Sequence, residues 1–184
     1  MRVLLLLLSF TIPVCLFAQQ GTTMQAIQLQ EFGGPEVLQI REIPRPDPGV
    51  GELLVRVRAA AVNPVDTGIR SGGASGLSGA MLPYVPGFDV SGVVTAIGPG
   101  VTEFDVGDEV FAMLSLRRGG AYAEYTIVKE DEAAQKPSGA THAEAASIPL
   151  VALTAWQTLF EIADLQPGQT VLIHAGAGGV GSIA

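Results

Sequence analysis

The chain has 184 residues, of which 48% are hydrophobic and 15% charged, with 10 lysines and arginines against 18 aspartates and glutamates. The net charge of −8 argues against a nucleic-acid partner, because a phosphate backbone requires a basic surface. The composition is that of a globular chain with a buried core and excludes a largely disordered one. The single cysteine, Cys15, excludes an internal disulfide framework and a cysteine-based zinc site.

The N-terminus carries an apolar run over residues 3–18 behind the basic residue Arg2. This layout is typical of a secretory signal peptide, and the run contains Pro13 and is too short for a membrane-spanning helix. Residues 1–18 are therefore interpreted as a signal peptide or as a mistranslated leader ahead of a start at Met24. The protein is exported to the periplasm or the extracellular space in the first case and is cytoplasmic in the second. No stable membrane insertion is expected.

From Met24 onward, short alternating apolar runs separated by glycine and proline predict a strand-rich fold. Strands are expected at residues 25–30, 37–43, 53–62, 88–97, 108–113 and 121–128. Asn63 and Pro64 predict a short helix that extends to about residue 70, because asparagine is a good N-cap and proline fits the first helical position. Residues 71–79 are expected to be a mobile loop, and residues 117–120 a hairpin or flap.

After residue 137 the pattern changes to one typical of helices. Thr141 and Glu144 have the spacing of a capping box, and a second helix is predicted over residues 150–163. Residues 170–174 form a short apolar run typical of a strand that is buried on both faces of a parallel sheet.

A glycine-rich turn follows that run, with Gly176, Gly178 and Gly181 at the spacing of a dinucleotide fingerprint. Two of these glycines allow a tight turn and a close approach to a pyrophosphate, and the third allows close packing of helix and strand. The alternative is a glycine-rich turn without a ligand. In such a site the residue that selects NAD or NADP lies about 20 residues further on, which is beyond residue 184.

The order of these segments resembles the medium-chain dehydrogenase/reductase superfamily, in its zinc-free quinone oxidoreductase branch (zeta-crystallin-like). The matching motifs are EFGGPEVL at 31–38, PxPGxGE at 46–52, NPVD at 63–66, PGFDxSG at 86–92, GxGV at 98–101, GDxV at 107–110, GGAYAEY at 119–125 and the glycine-rich turn. The resemblance implies a mainly β fold. A GroES-like β-barrel domain is expected at residues 24–148. The first helix, strand and glycine turn of an incomplete α/β Rossmann domain are expected at residues 149–184.

The resemblance implies that the complete protein is an NAD(P)H-dependent, zinc-independent oxidoreductase that reduces quinones or conjugated carbonyls by hydride transfer. NADPH is the expected cofactor, with NADH as the alternative, and the expected partner is a small-molecule quinone or enone. Zinc-dependent members carry cysteine at the position of Asn63, a histidine–glutamate pair at Phe88 and Asp89, and another cysteine close to Val151. Phenylalanine and valine cannot coordinate a metal, so no zinc is expected.

The resemblance also implies roles for individual residues. Asn63 is expected to face the nicotinamide side of the cleft and to bind substrate or cofactor, with helix capping alone as the alternative. Thr154 matches a threonine that contacts the cofactor in relatives, and a buried hydroxyl bonded to its own helix is the alternative. Tyr84 is expected to line the substrate opening, or else to be an ordinary surface aromatic. The candidate catalytic residues are Asn63 and Tyr84, and the cofactor-binding candidates are Asn63, Thr154, Gly176, Gly178, Gly179, Val180 and Gly181.

Three other polar residues are interpreted as structural. Asp66 is interpreted as a first-turn carboxylate that interacts favourably with the helix dipole, with orientation of a residue in the cleft as the alternative. His174 is read as a structural imidazole at the end of a buried strand, and His142 as a surface residue.

Two other functions stay open from the sequence: a truncated, cofactor-free GroES-like binding module or pseudoenzyme, and an enoyl reductase of fatty-acid or polyketide type. Only one strand of the expected parallel sheet lies within the chain, and one strand does not make a sheet. We therefore expect the 184-residue chain to bind dinucleotide poorly or not at all. A homodimer is expected for a form whose Rossmann domain is complete.

Overall fold

The structure is a computed structural model and describes residues 22–79 and 81–184. The predicted leader at residues 1–18 lies outside the described residues. Within them, no helix is long and apolar enough to cross a membrane.

Seven strands form two antiparallel sheets in the described part of the chain. They are β1 (Thr23–Gln28), β2 (Gln39–Pro44), β3 (Glu52–Ala61), β4 (Asp89–Ile97), β5 (Glu109–Met113), β6 (Tyr125–Lys129) and β7 (Ala133–Gln135). β1 pairs with β2, and the other five strands have the order β6-β3-β4-β5-β7. Isolated bridges from Ala26 to Ala123 and from Leu29 to Tyr84 connect the β1 segment to the rest of the domain. The predicted mainly β class is confirmed.

Of the two alternatives for residues 117–120, the hairpin is wrong, because β5 and β6 do not pair with each other, and the flap stays a prediction. β5 pairs with β4 and β7, whereas β6 pairs with β3. The segment between them forms a turn in which the N–H groups of Arg118 and Gly119 donate to the carbonyl oxygen of Ser115 at 2.9 and 3.0 Å. The chain passes through this turn from β5, next to one edge strand of the five-stranded sheet, to β6 at the opposite edge.

Inward-facing side chains of the five-stranded sheet form the main core. Alternation along β3 and β4 places every second side chain on the same face, and the aliphatic residues on that face are buried. The buried members of this core are Leu53, Val55, Val90, Val94, Phe104, Val110, Ala112, Leu114, Ala121 and Val128. A second buried cluster under the first helix contains Leu29, Val37, Ile69, Tyr84 and Phe88.

Five α-helices lie in the described residues: α1 (Pro64–Arg70), α2 (Ser75–Ser78), α3 (His142–Ala146), α4 (Pro149–Trp156) and α5 (Gly179–Ile183). A π-helix over Gln157–Ile162 continues α4, and 3-10 turns lie at Pro35–Val37 and Glu130–Glu132. The segment 71–79 was expected to be a loop, but it contains the single turn of α2.

The capping box at the start of α3 is confirmed. The backbone N–H of Glu144 donates to Oγ1 of Thr141 at 3.2 Å, and the N–H of Thr141 donates to the Glu144 carboxylate at 2.7 Å. The N–H and the hydroxyl of Thr141 both donate to the Glu144 carboxylate and lower its pKa. The interpretation of His142 as a surface residue is wrong, because its ring is half-buried between Ser91 of β4 and Glu109 of β5.

The strand expected at residues 170–174 is not formed. A strand is stable only when its N–H and C=O groups pair with a neighbour, and no described strand lies beside this segment. His174 is therefore exposed, and the prediction that it ends a buried strand is wrong.

Candidate functional site

A cluster of buried polar residues lies where α1 meets the first residue of β4. The exposed fractions of Asn63, Asp66 and Asp89 are 6%, 4% and 0%. Polar groups at this depth are stable only when they are hydrogen-bonded, so their partners define the geometry of the site.

Asn63 links the two aspartates. It lies at the N-cap of α1 with an extended backbone, as predicted. Its backbone N–H donates to Oδ2 of Asp66 at 2.7 Å, and its side-chain amide donates to Oδ2 of Asp89 at 2.9 Å. Asn63 therefore does more than cap its helix, because its amide also crosses to the adjacent strand.

Asp89 joins three elements through one carboxylate. Its Oδ2 atom accepts from Asn63 before α1, and its Oδ1 atom accepts from the backbone N–H of Leu150 in α4 at 3.0 Å. Burial raises the pKa of Asp89 to about 6; the hydrogen bonds from Asn63 and Leu150 act in the opposite direction, and the charge of Asp66 adds to the rise. Asp89 is the first residue of β4 and thus ties the β domain to the helical segment.

The interpretation of Asp66 as a first-turn carboxylate of α1 is confirmed, but its side chain also makes contacts outside the helix. Its side chain is buried and accepts from the backbone N–H of Asn63 and from that of Gly87, the latter at 3.1 Å. It also interacts with the hydroxyl of Tyr122, which donates to the carbonyl oxygen of Ala61 at 3.2 Å. Burial raises the pKa of Asp66, and these donors partly oppose the rise. Asp66 thus holds the segment before β4 against α1.

A small cleft of about 110 Å³ opens beside Asp66 and Tyr122. Its lining residues are Leu38, Val62, Asp66, Thr67, Arg70, Pro86 and Tyr122. The sequence analysis assigned no role to Tyr122, although it lies within the GGAYAEY motif. Burial raises the pKa of Tyr122, and the charges of Asp66 and Asp89 add to the rise. The phenol therefore stays a neutral hydrogen-bonding group.

Tyr84 is not a surface aromatic, and it does not line the cleft beside Asp66. Its backbone pairs with Leu29 through hydrogen bonds of 2.7 and 3.0 Å, and only 6% of the residue is exposed. The side chain packs in the second core cluster, and its hydroxyl has no hydrogen-bond partner among the described residues. Burial raises the pKa of Tyr84 to about 12, and the charge of Asp66 contributes to the rise.

Thr154 is exposed on α4, and its hydroxyl donates to the carbonyl oxygen of Leu150 at 2.7 Å. The alternative to a cofactor contact was a buried hydroxyl bonded to its own helix. The hydrogen bond within the helix is present, but Thr154 is exposed. Contact of Thr154 with a cofactor stays a prediction.

The glycine-rich turn leads into α5 and packs closely on α4. The N–H of Gly178 donates to the carbonyl oxygen of Ala175 at 2.8 Å. A Cβ atom at Gly181 would lie 2.5 Å from that same oxygen, and one at Gly179 would lie 3.1 Å from Cγ1 of Val151. A side chain at position 181 would displace the backbone of the turn, so the close approach there requires glycine, whereas one at position 179 would press on the side chain of Val151.

An apolar cavity of about 390 Å³ lies between the helical segment and the glycine turn. Its walls are formed by Ala155, Thr158, Leu159, Ala163, Val171, Leu172, Ile173, His174, Ala175, Gly178, Val180, Gly181 and Ala184. The structure thus brings Asn63 to the two aspartates and leaves the glycine turn on the far side of α4. In residues 22–79 and 81–184, no group of three histidine, cysteine, aspartate or glutamate residues is arranged to hold a metal ion.

Comparison with known protein families and curated proteins gives three findings. Residues 49–138 match the alcohol dehydrogenase GroES-like domain. The chain is 40% identical over 162 residues to quinone oxidoreductase of Homo sapiens. This alignment covers 88% of this chain and 48% of the relative. It is 40% identical over 167 residues to a chloroplastic quinone-oxidoreductase homolog of Spinacia oleracea, which covers 88% of this chain and 51% of the relative. The chain spans about half the length of these curated relatives.

Solved structures show similarity to the same kind of protein. The quinone oxidoreductase from Coxiella burnetii superposes with a TM-score of 0.79 at 37% identity over 88% of this chain and 51% of that chain. A mycobacterial protein solved with NADPH superposes with a TM-score of 0.77 at 43% identity, over 87% of this chain and 47% of that chain. The CurK enoyl reductase superposes with a TM-score of 0.78 at 29% identity, over 87% of this chain and 49% of that chain. A GroES-like domain is thereby confirmed, while the predicted boundaries at 24–148 and 149–184 stay predictions.

Proposed function

Because the chain belongs to the medium-chain dehydrogenase/reductase superfamily, in its quinone oxidoreductase-like branch, we propose that the complete protein is a nicotinamide-dependent, zinc-independent oxidoreductase. Its proposed reaction is the reduction of quinones or conjugated carbonyls by hydride transfer. The observation that carries the proposal is the 40% identity to human quinone oxidoreductase over 162 residues. Zinc independence is supported by Phe88 and Val151, whose side chains cannot coordinate a metal.

The proposed cofactor is NADPH, with NADH as the alternative. A dinucleotide suits the glycine-rich turn, because Gly179 and Gly181 leave the backbone free of side chains where it approaches α4 and Ala175. The relative that was solved with NADPH supports the choice of NADPH. The residues that would hold the dinucleotide are Gly176, Gly178, Gly179, Val180 and Gly181, with Thr154 on the adjacent helix. When bound, the cofactor supplies the hydride.

The protein's own task is to orient the acceptor and to stabilise the negative charge that develops on its oxygen. Without a metal ion, a neutral hydrogen-bonding group has to do this. Asn63 is the proposed group, because its side-chain NH2 group carries a second N–H besides the one that donates to Asp89. Tyr84 is less suited, since its hydroxyl is buried in the second core cluster.

The test is oxidation of NADPH by a full-length form that contains these 184 residues. We expect turnover with several members of a panel of quinones and enones, and no loss of rate when a chelator is added. Asn63→Ala should lower kcat while circular dichroism stays unchanged, and Gln39→Ala on the exposed face of β2 is the matched control. Absence of turnover with every acceptor would overturn the reaction, and inhibition by the chelator would overturn zinc independence.

An enoyl reductase of fatty-acid or polyketide type is the second candidate, favoured by the similarity to the CurK enoyl reductase. Both candidates use a conjugated carbonyl, so the distinguishing property is the part of the substrate remote from the double bond. An enoyl reductase should prefer enoyl thioesters over free quinones, with rates that depend on acyl chain length. Comparison of kcat/KM for a thioester series and a quinone series separates the two.

A further inference from the structure

Both oxygens of the buried Asp89 carboxylate already accept a hydrogen bond from a nitrogen donor. Its Oδ1 atom accepts from the N–H of Leu150 at 3.0 Å, and its Oδ2 atom accepts from the amide nitrogen of Asn63 at 2.9 Å. Both partners are nitrogen donors, and a protonated carboxyl group presents a donor on one of its oxygens. Protonation of Asp89 therefore adds a donor at a fully buried position where both hydrogen-bond partners are donors, and it lacks an acceptor there unless one partner changes its role.

The two partners differ in their ability to change. A backbone N–H such as that of Leu150 is always a donor, whereas the side-chain amide of Asn63 carries a donor and an acceptor on one carbon. Rotation of that amide by about half a turn exchanges the two. The Oδ1 atom of Asn63 would then accept the new proton and leave the capping box of α1, while the backbone N–H of Asp66 keeps the backbone carbonyl oxygen of Asn63 as its acceptor at 3.0 Å.

We propose that Asp89 is a positioning residue whose protonation state sets the orientation of the Asn63 amide. With Asp89 ionised, the amide nitrogen of Asn63 faces Asp89 and its oxygen faces away. With Asp89 protonated, the oxygen faces Asp89 and the NH2 group faces away. The bond from Leu150 to Asp89 persists in both states, so α4 stays docked. The oxygen of Asn63 thus faces the first turn of α1 in one state and Asp89 in the other, and the NH2 group moves in the opposite direction.

The surroundings of Asp89 place this change in an accessible pH range. Burial raises its pKa to about 6, and no ion pair to Asp89 is formed by a described lysine, arginine or histidine. The titratable group that acts on the pKa of Asp89 is Asp66 from α1, whereas the charge of Asp89 in turn raises the pKa of Tyr122 in the segment before β6. His142 of α3 contacts Ser91, two residues further along β4. Tyr122 stays neutral across this pH range. The titration of Asp89 therefore has to be distinguished from that of Asp66.

The experiment is a nuclear magnetic resonance titration of the 184-residue chain that follows the side-chain NH2 group of Asn63 and the backbone amide of Leu150. As the pH falls through about 6, we expect the Asn63 NH2 resonances to shift in one transition, while the Leu150 amide stays protected from exchange. Loss of Leu150 protection with unchanged Asn63 resonances would overturn the proposal. Unchanged resonances of both groups would overturn it as well.

Asp89→Asn provides the matched variant, because an asparagine at position 89 has the shape of a protonated aspartate. Its oxygen can accept from Leu150, and its nitrogen can donate to the oxygen of Asn63. The NH2 resonances of Asn63 in this variant should be independent of pH and should equal those of the wild type at low pH. Agreement with the high-pH wild type would overturn the proposal.

Asp66→Asn is the control for the other buried carboxyl group. Asp66 contacts the backbone N–H of Asn63 and not its side chain, so this variant should keep the pH-dependent shift of the side-chain NH2 group. If the shift is lost in Asp66→Asn and retained in Asp89→Asn, the titrating group is Asp66 and not Asp89, and the proposal is overturned. None of these readouts requires cofactor or turnover, so their outcome is independent of the proposed function.

Discussion

The Oγ atom of Ser91 lies 2.8 Å from Nδ1 of His142, so a fully buried hydroxyl of β4 holds the first residue of α3. The same hydroxyl donates to the carbonyl oxygen of Val110 at 2.9 Å, and Nε2 of His142 lies 3.1 Å from Oε1 of Glu109. The imidazole therefore spans two strands of the sheet. Ser91 and Asp89 thus place two of the polar links between the sheet and the helical segment within the first three residues of β4.

Replacement of the buried hydroxyl tests the first of these links. Ser91→Ala should lower the free energy of unfolding by about 1–3 kcal/mol, because a ring nitrogen of His142 loses its partner in a buried position. Urea denaturation measures the change. Ser182→Ala is the matched control, since that exposed hydroxyl bonds only within α5, and it should change stability by less than about 0.5 kcal/mol. Equal effects of the two substitutions would contradict the structural role of Ser91.

The capping box of α3 should contribute measurably to stability. Thr141→Ala removes the acceptor for the backbone N–H of Glu144 and should cost about 1 kcal/mol in urea denaturation. Thr158→Ala serves as the control, because its exposed hydroxyl only bonds back to Thr154 of the same helix. If Thr141→Ala is no more destabilising than Thr158→Ala, the cap does not stabilise the helix.

Gly98 marks the tightest backbone approach in the domain. A Cβ atom at this position would overlap the carbonyl oxygen of Gly49, so the proline-rich loop would have to move. Gly98→Ala should destabilise the chain by about 3 kcal/mol or more. Gly139→Ala has open space around its Cβ position and should leave the melting temperature almost unchanged. A stable Gly98→Ala variant with native circular dichroism would show that this loop is free to shift.

Asp89 should make stability depend on pH with a sign opposite to that of most carboxylates. Its pKa is raised from 3.8 to about 6 in the folded chain, so between about pH 4 and 6 the folded state binds more protons than the unfolded state. The free energy of unfolding should therefore fall as the pH rises through this window. Subtraction of the Asp89→Asn profile, measured by urea denaturation at each pH, isolates this contribution. Parallel wild-type and variant profiles would exclude it.

The 184-residue chain should bind NADPH weakly, with a Kd above micromolar. The reason is that residues 170–174 are not paired into a sheet, so the glycine-rich turn is anchored only by its contact with α4. Isothermal titration calorimetry measures this affinity, and Gly181→Val controls for binding elsewhere. Submicromolar binding that Gly181→Val abolishes would show that the turn is preorganised without a neighbouring strand.

Local features were predictable from the sequence because their causes are local. The N-cap at Asn63 followed by Pro64 and the capping box at Thr141 depend on residues within one turn, and both are present. The pairing of β6 with β3 was not predictable, because adjacent strands in the sequence suggest a hairpin and only the whole sheet decides otherwise. Residues 170–174 show the converse, since an apolar run predicts a strand but a strand also needs a partner.

The candidate site shows the same limit. Asn63 was recognised from its motif, but its bond to Asp89 spans 26 positions of the chain and leaves no trace in local spacing. The same holds for the contact of Tyr122 with Asp66, and for the half-buried position of His142. A resemblance to a family identifies which residues to examine, whereas burial and hydrogen-bond partners follow only from the three-dimensional arrangement.

The π-helix at Gln157–Ile162 has a consequence for how this helix tolerates changes in length. A π-helical segment accommodates one residue more than an α-helix spanning the same distance. Deletion of one residue there would let α4 continue as an ordinary α-helix without moving its ends. Deletion of one residue within Pro149–Trp156 would instead rotate every later side chain by about 100° around the axis. This segment is therefore where a one-residue difference in length between related chains is most easily absorbed.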